Sequence, residues 1–325
     1  MLGFLKKFAS PLALHRAGIM GMNQRNISYI GRYNSRRLFP LVDDKLKTKL
    51  IAQQAGATVP ELIGVIHNQA DVPSIHEMVA NWPGFVIKPA RGSGGKGILV
   101  ITSHGNGVYR KPSGAEIGLE DVERHLTNTL AGLFSLGGKN DVAVVENLIQ
   151  FDDVFDGFSY EGVPDIRVIV FKGYPVMAMM RLSTSASDGK ANLHQGAVGV
   201  GIDLATGRAV RAVQFNRPVE KHPDTGRELN ELQVPHWNKL LTLAASAWEM
   251  TGLGYIGTDM VLDKAKGPMV LELNARPGLA IQIANGCGLL PRLRFIERMG
   301  DTAAGMSPED RVKFSSRHFG NAEQH

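Results

Sequence analysis

The sequence predicts an α+β chain arranged as two α/β lobes, and three observations carry that prediction. Two pairs of apolar, β-branched runs, 165–171 with 175–181 and 255–263 with 268–274, read as antiparallel hairpins. Two stretches, 120–134 and 237–250, repeat their apolar residues at helical spacing. A glycine-rich loop lies between two further strand-like runs rather than before a helix. The 325 residues suffice for one large or two modest domains, each with its own core.

In chain order, residues 1–42 show no strand–helix–strand pattern. Met1–Met22 reads as a short basic amphipathic helix rather than a leader. Lys6, Lys7, His15 and Arg16 interrupt it, and no small-residue cleavage site follows. Asp43-Asp44 can cap a helix with Leu46, Leu50 and Ile51 on its apolar side, closed by Gly56. Leu62–Ile66 is a short strand and Ser74–Val79 a short helix. Phe85–Ile87 and Ile98–Thr102 are the strands that flank the glycine loop. In 120–134, Val122, Leu126, Leu130 and Leu133 mark a helix, and Val142–Val145 marks a strand. The first hairpin turns at Lys172-Gly173. Trp237, Leu240, Leu241, Ala244, Ala245 and Trp248 make one helix face, which reads as core. The second hairpin turns at Lys264–Gly267, Lys221–Leu232 looks like an insertion, and a polar tail follows Arg311.

Composition narrows the function. The chain is 43% hydrophobic and 21% charged, which is ordinary for a soluble domain. No apolar run approaches the roughly 18 to 20 residues of a membrane span. The single cysteine, Cys287, excludes an internal disulfide and a cysteine zinc site, and fits a reducing cytoplasm. It reads as a small packed residue in preference to a nucleophile. The net charge is +5, with Arg25, Arg32, Arg36 and Arg37 crowded before Asp43. Without regular aromatic interleaving, that patch suits an anionic small molecule or a protein contact better than nucleic acid.

Gly92-Ser93-Gly94-Gly95-Lys96-Gly97 has GxGxxG spacing, but Ile98–Ile101 follows it as a strand, so the dinucleotide reading fails. The P-loop reading fails as well, since Gly97 stands where Ser or Thr is needed. Two readings remain. The loop is a flexible surface turn, or it is a flap whose backbone N–H groups approach phosphates, with Lys88 reaching them from the preceding strand.

The second hairpin carries Glu272 and Asn274 two apart on one strand, hence on one face. With the turn at Lys264–Gly267, Asp259 falls opposite Glu272. Two carboxylates and an amide brought together repel and invite a cation, and hard oxygen ligands suit Mg²⁺ on nucleotide phosphates. The competing reading is a solvated polar face. Val261, Leu262, Val270, Leu271 and Leu273 argue against it.

Phe85–Pro89, the glycine loop, Val145–Ile149, Asp165–Arg167, Asn192–Gly196, Gly257–Asp259 and Leu271–Gly278 occur in an order that resembles the ATP-grasp superfamily. Within it, the chain is most similar to the ribosomal-protein glutamate ligase branch and its α-L-glutamate ligase-like group, over roughly 43–290. The resemblance implies an ATP-grasp fold with four segments. These are a basic N-terminal segment (1–42) in place of the usual preceding domain, an N-terminal lobe with the flap (43–148), a C-terminal lobe with the reaction centre (149–310), and a polar tail (311–325).

It also implies roles. Lys88, Gly94, Gly95, Lys96 and Gly97 would hold phosphates, while Glu146, Asn147 and Leu148 would line the adenine. Asp153 or its neighbour Asp152 would hold the ribose. Lys45 is a nucleotide contact or a surface lysine. Arg167 would contact the γ-phosphate, with Arg181, Asn192 and Arg276 at the reaction centre. His194 is a general base or a structural histidine. Asp259, Glu272 and Asn274 would ligate Mg²⁺, with Mn²⁺ as the alternative. The implied activity is ATP-dependent carboxylate–amine ligation through an acyl phosphate, with glutamate or a related amino acid or peptide as substrate. A phosphotransferase and a non-catalytic nucleotide-binding partner are the rival readings, and a homo-oligomer is compatible with either.

Overall fold

A computed structural model describes residues 10–92, 94–300 and 305–320. Ser93 of the glycine loop, the first nine residues of the expected N-terminal helix and the last five of the polar tail lie outside those residues. The chain forms two units. One is Pro40–Asp152 with Leu262–Glu272, here the glycine-loop unit. The other is Met1–Phe39, Asp153–Val261 and Leu273–His325, here the large-sheet unit. No helix among the described residues is long and apolar enough to cross a membrane.

The glycine-loop unit begins with the helix Lys45–Gln54, capped by Asp44, whose carboxylate accepts the Leu46 and Lys47 N–H groups at 3.1 Å. Strands β1 (Leu62–Ile66), β2 (Phe85–Pro89), β3 (Leu99–Ile101) and β7 (Ala143–Asn147) form an antiparallel sheet in the order β1-β7-β2-β3. Between them, β4 (Ser103–Gly105), β5 (Val108–Arg110) and β6 (Glu116–Gly118) form a small second sheet. The core joins Ile66, Phe85, Ile87, Ile101 and Val145 of the sheets to Ile75, Val79, Val122 and Leu126 of the helices Ile75–Val79 and Leu119–Leu130.

The second helix is shorter than its pattern suggested. It stops at Leu130 because Gly132 takes φ +81°, and a Cβ there would stand 2.2 Å from the Lys139 carbonyl oxygen. Leu133 is therefore outside the core, at 68% exposed.

In the large-sheet unit, β8 (Asp165–Phe171) and β9 (Tyr174–Leu182) form the expected hairpin, with Lys172 at φ +49° and Gly173 at φ +80°. They are followed by β10 (Val198–Ile202), β11 (Ala209–Gln214), β12 (Arg217–Pro218), β13 (Tyr255–Asp263) and β14 (Gly267–Asn274), the last two running on into Leu262–Glu272 of the glycine-loop unit. The sheet order is β12-β11-β10-β9-β8-β13-β14. Because β14 begins at Gly267, the link after β13 is Lys264–Lys266, one residue shorter than expected. The 237–250 helix is two pieces, Trp237–Ala245 and Ala247–Thr251, separated at Ser246. Trp237 is buried, as expected. Trp248 is half-buried and carries the buried Arg311 guanidinium 5.2 Å from its ring.

Arg311 also bonds Gly173 O, Met306 O and Glu249, so the segment read as a polar tail is an ordered helix, Pro308–Phe319. The spacing of Arg311, Val312, Ser315 and Phe319 is helical, and those four side chains are buried.

The described part of the N-terminal segment is helical too. Pro11–Arg16 is followed by an uninterrupted run from Met22 to Tyr33 that contains a π-helical turn at Arg25–Ile30. Its packing is specific. The amide of Gln282 takes the Met20 N–H at 2.8 Å and donates to Met20 O at 3.1 Å. Tyr29, Tyr33, Phe171 and Tyr255 form an aromatic cluster with centroids 4.9–6.2 Å apart. Asn34, 4% exposed, donates to Tyr255 O at 2.6 Å and Ala275 O at 3.0 Å, and accepts from Tyr255 N at 2.8 Å.

Candidate functional site

The expected site residues fall into two groups, one in each unit. In the glycine-loop unit, antiparallel pairing of Val86 with Glu146 and of Lys88 with Val144 puts the Lys88 and Glu146 side chains on one face, diagonally opposed. Lys88 Nζ lies 2.6 Å from one Glu146 oxygen, and Lys49 Nζ lies 3.0 Å from the other. Lys49 also donates to Pro60 O. Burial would push the Glu146 carboxyl up, but the two ammonium groups outweigh it and hold the pKa below the ordinary range. Burial lowers the Lys49 pKa, with Glu146 opposing the shift. Lys45 donates to Gly92 O at 2.6 Å and sits 3.7 Å from Glu272. Lys45, Lys49 and Lys88 thus face Glu146 and Glu272, an excess of one positive charge that favours an anion.

The loop between β2 and β3 joins antiparallel strands, as the sequence indicated. Gly94, Gly95 and Gly97 take φ of +63°, +74° and +75°, a region costly for other residues. Gly94, Gly95 and Lys96 are exposed, with open space around the first two glycines. Gly97 is tighter. Its carbonyl meets His125 Nε2 at 3.0 Å, and a Cβ on it would lie 2.4 Å from Phe134. The loop is therefore anchored at its β3 end and open at its tip. Asn147 and Leu148 are half-buried at the end of β7, as is Asp152.

In the large-sheet unit, the neighbours β9, β8 and β13 set four charged side chains in a row. Asp165 pairs across with Arg181, and Arg167 pairs across with Asp259. Arg167 grips Asp259 through Nε at 2.7 Å and Nη2 at 2.5 Å. Arg181 grips Asp165 with both Nε and Nη2 and reaches Asp259 at 2.9 Å. Burial acts to raise the Asp259 pKa, but two guanidiniums reverse it and hold the carboxyl well below its usual range. Asp165 goes the other way. Burial, with the nearby Asp259 charge, lifts it to about 6 despite Arg181.

A β-bulge creates this row. Near the turn, Phe171 opposes Tyr174 and Val170 opposes Pro175. A shift between Ile169 and Val170 then moves the pairing by one, so that Asp165 opposes Arg181.

The remaining expected residues lie elsewhere in the same unit. Asn192 caps the turn Leu193–Gln195 by accepting His194 N at 3.0 Å, and His194 is exposed. Asn274 Oδ1 accepts Arg276 N at 2.8 Å, while the exposed Arg276 guanidinium stacks 4.8 Å over Phe39. Arg25 donates to Pro277 O at 3.0 Å. Asp153 is exposed. The insertion around 221–232 ties down the 183–196 loop, with Asp224 accepting Ser185 N at 2.9 Å and His222 Nε2 3.0 Å from Ser183 O.

Asp259, Glu272 and Asn274 supply hard oxygens of the kind Mg²⁺ takes. Asp259 keeps lone pairs beyond its three arginine bonds, and Glu272 is 39% exposed. In that sense the residues fit the ion. Among the described residues, no three His, Cys, Asp or Glu side chains form a metal cluster by themselves.

Sequence reasoning overlooked Lys49 and treated Asp165 only as part of a motif. Lys49 was recoverable. It lies one helical turn from Lys45, which places both on one helix face.

The sequence matches the family described as sugar-transfer associated ATP-grasp over residues 24–298. It is 25% identical over 244 residues to a "Probable alpha-L-glutamate ligase" of Aeromonas salmonicida, an alignment covering 75% of this chain and 59% of that protein. The chain thus spans about three fifths of that relative's length. It is 25% identical over 278 residues to a "Ribosomal protein bS6--L-glutamate ligase" of Salmonella paratyphi B, covering 84% and 70% of the two chains. Among solved structures, D-alanyl-alanine synthetase A from Vibrio cholerae aligns with TM-score 0.46 at 12% identity, over 86% of this chain and 65% of that one. The glycine loop between antiparallel strands, the ordered ATP-grasp motifs and the match across most of the length agree: the chain belongs to the sugar-transfer associated ATP-grasp family.

Proposed function

We propose that this chain is an ATP-dependent carboxylate–amine ligase that activates an acid as its acyl phosphate and releases ADP and phosphate. The observation that carries the reading is the Arg181–Asp165, Arg167–Asp259 row. It keeps two guanidiniums fixed and one carboxylate ionised in a buried setting, as phosphoryl transfer requires. Arg167 and Arg181 donate to the transferring phosphoryl oxygens. Lys88, released in part from Glu146, offsets charge on the phosphates, with Lys45 and Lys49 beside it. Gly94–Gly97 cover the nucleotide and keep water from the activated acid. Asp152 or Asp153 holds the ribose, and the backbone of Glu146–Leu148 meets the adenine edge. Arg276 holds a substrate carboxylate, and Asn192 orients the reacting groups. Asp259, Glu272 and Asn274 would hold Mg²⁺, which would supply positive charge to the phosphates.

The amine nitrogen forms the new amide bond, the acyl–phosphate bond breaks, and phosphate leaves. The names of the curated relatives favour glutamate or a related amino acid as one substrate, with a peptide or protein end as acceptor.

The test is nucleotide analysis with ATP, Mg²⁺ and a pool of amino acids. Amine-dependent ADP and a product with the summed mass of acid and amine less one water are expected. AMP release would refute the mechanism, and ADP formed with a stable phosphorylated product would assign a phosphotransferase instead. If Asp259→Ala left ATP turnover unchanged, the metal assignment would be wrong.

A further inference from the structure

The charge of this chain is segregated. All 31 acidic residues lie after residue 42, whereas seven of the 36 lysines and arginines lie before it. The rest of the chain thus carries two more acids than bases, and the first 42 residues account for the whole positive excess. The described part of that segment is fully packed on its inner side. Met20, Tyr29, Ile30 and Asn34 are buried, and the hydrogen bonds to Gln282, Tyr255 and Ala275 hold it to the large-sheet unit.

What the packing leaves in solvent is unusual. Leu12 is 57% exposed, Met22 68% and Ile27 74%. Arg16, Arg36 and Arg37 of the same segment are exposed and make no ion pair among the described residues. Large exposed apolar side chains and unpaired arginines carried on one short segment gain nothing from bulk water. Together they match a surface that offers anionic groups at its rim and hydrocarbon just beneath.

We infer that the N-terminal segment docks the enzyme on an anionic lipid bilayer, with Met22 and Ile27 entering the headgroup boundary and Arg16, Arg36 and Arg37 meeting lipid phosphates. Nucleic acid fits less well, because the segment's rings are already engaged. Tyr29 is buried, Tyr33 packs edge-on against Phe171, and Phe39 lies under Arg276, which leaves no tyrosine or phenylalanine face free to stack on bases among the described residues of the segment. An acidic protein would satisfy the arginines without explaining the exposed Met22 and Ile27. The inference does not depend on the ligase chemistry.

The test is co-sedimentation of the full chain with phosphatidylcholine vesicles and with vesicles that also contain phosphatidylglycerol. Binding is expected only to the second kind and is expected to fall with added salt. Arg36→Glu with Arg37→Glu should weaken partitioning by more than about tenfold, because each basic side chain near a charged surface is worth several-fold. Ile27→Ser with Met22→Ser should weaken it with less effect on salt dependence. Thermal melting of each variant checks that it folds, and these residues lie outside the proposed catalytic groups, so ATP turnover is a second control. Equal binding to neutral vesicles, no vesicle binding by the folded wild type, or a shift of duplex DNA without vesicle binding would each overturn the inference.

Discussion

Asn34→Ala is the sharpest probe of how the N-terminal segment supports the site. The wild-type amide makes three hydrogen bonds in a setting only 4% exposed, two to Tyr255 and one to Ala275. Each is worth about 0.5–1.5 kcal/mol net, and the Tyr255 N–H left without a partner moves the sum toward the upper end. The expected loss is about 3 kcal/mol, or roughly 6–12 °C in melting temperature for a unit of this size. Urea unfolding followed by tryptophan fluorescence reads it, provided the variant and wild type keep the same slope. Asn34→Asp sharpens the test. It keeps an acceptor for Tyr255 N–H but turns a carboxylate toward two carbonyl oxygens, so it should be at least as damaging near neutrality and partly relieved in acid. Amide exchange at Ala275 and Arg276 should quicken in both variants, because Asn34 holds Ala275 directly. A loss below about 1 kcal/mol for Asn34→Ala, with unchanged exchange at Ala275, would refute the claim that this clamp orders the loop bearing Arg276.

Glu146→Gln should cost about 3 kcal/mol at neutral pH, since it leaves Lys49 and Lys88 without their shared counter-charge. The Glu146 pKa is depressed in the fold, so its contribution is present above the unfolded carboxylate range near 4.3 and is lost as pH falls through the folded value. The stability gap between variant and wild type should therefore shrink in acid, and a gap independent of pH would contradict the pairing. Gly97→Ala should cost more stability than Gly94→Ala. Both place a side chain at positive φ, worth about 1–2 kcal/mol, but only Gly97 adds a clash with Phe134. Equal melting temperatures for the two would undo the anchored-loop description. Under the proposed function, Gly97→Ala should also raise the KM for ATP.

Much of this was legible because the period of a strand is short and local. Glu272 and Asn274 are two apart on β14, and Lys88 is on the strand that leads to the glycine loop, so their placement needs no distant information. The strand after Gly97 excluded a dinucleotide fold by the same local logic. The helix ends were less legible. Where 119–130 stops depends on Gly132 meeting the Lys139 backbone, and where 308–319 begins to matter depends on Arg311 finding Trp248, Gly173 and Glu249. Those partners are distant in sequence or lie across a turn.

The sequence by itself determined the motif order, the hairpins and the chemistry of the candidate ligands, because each rests on residue type and spacing within a few positions. Three things were decided only in the folded chain. A bulge beside Ile169 shifts β8 against β9 by one residue and brings Asp165 opposite Arg181, where an unbulged hairpin would set it opposite Met180. Lys49 joins Lys88 on Glu146 because a helix packs near a sheet formed far along the chain. Residues before position 40, read as a basic segment without a strand–helix–strand pattern, are held to the rest of the large-sheet unit by Asn34, Met20 and a cluster of aromatics. Hydrogen bonds and ring contacts between residues so far apart along the chain leave no periodic trace in sequence.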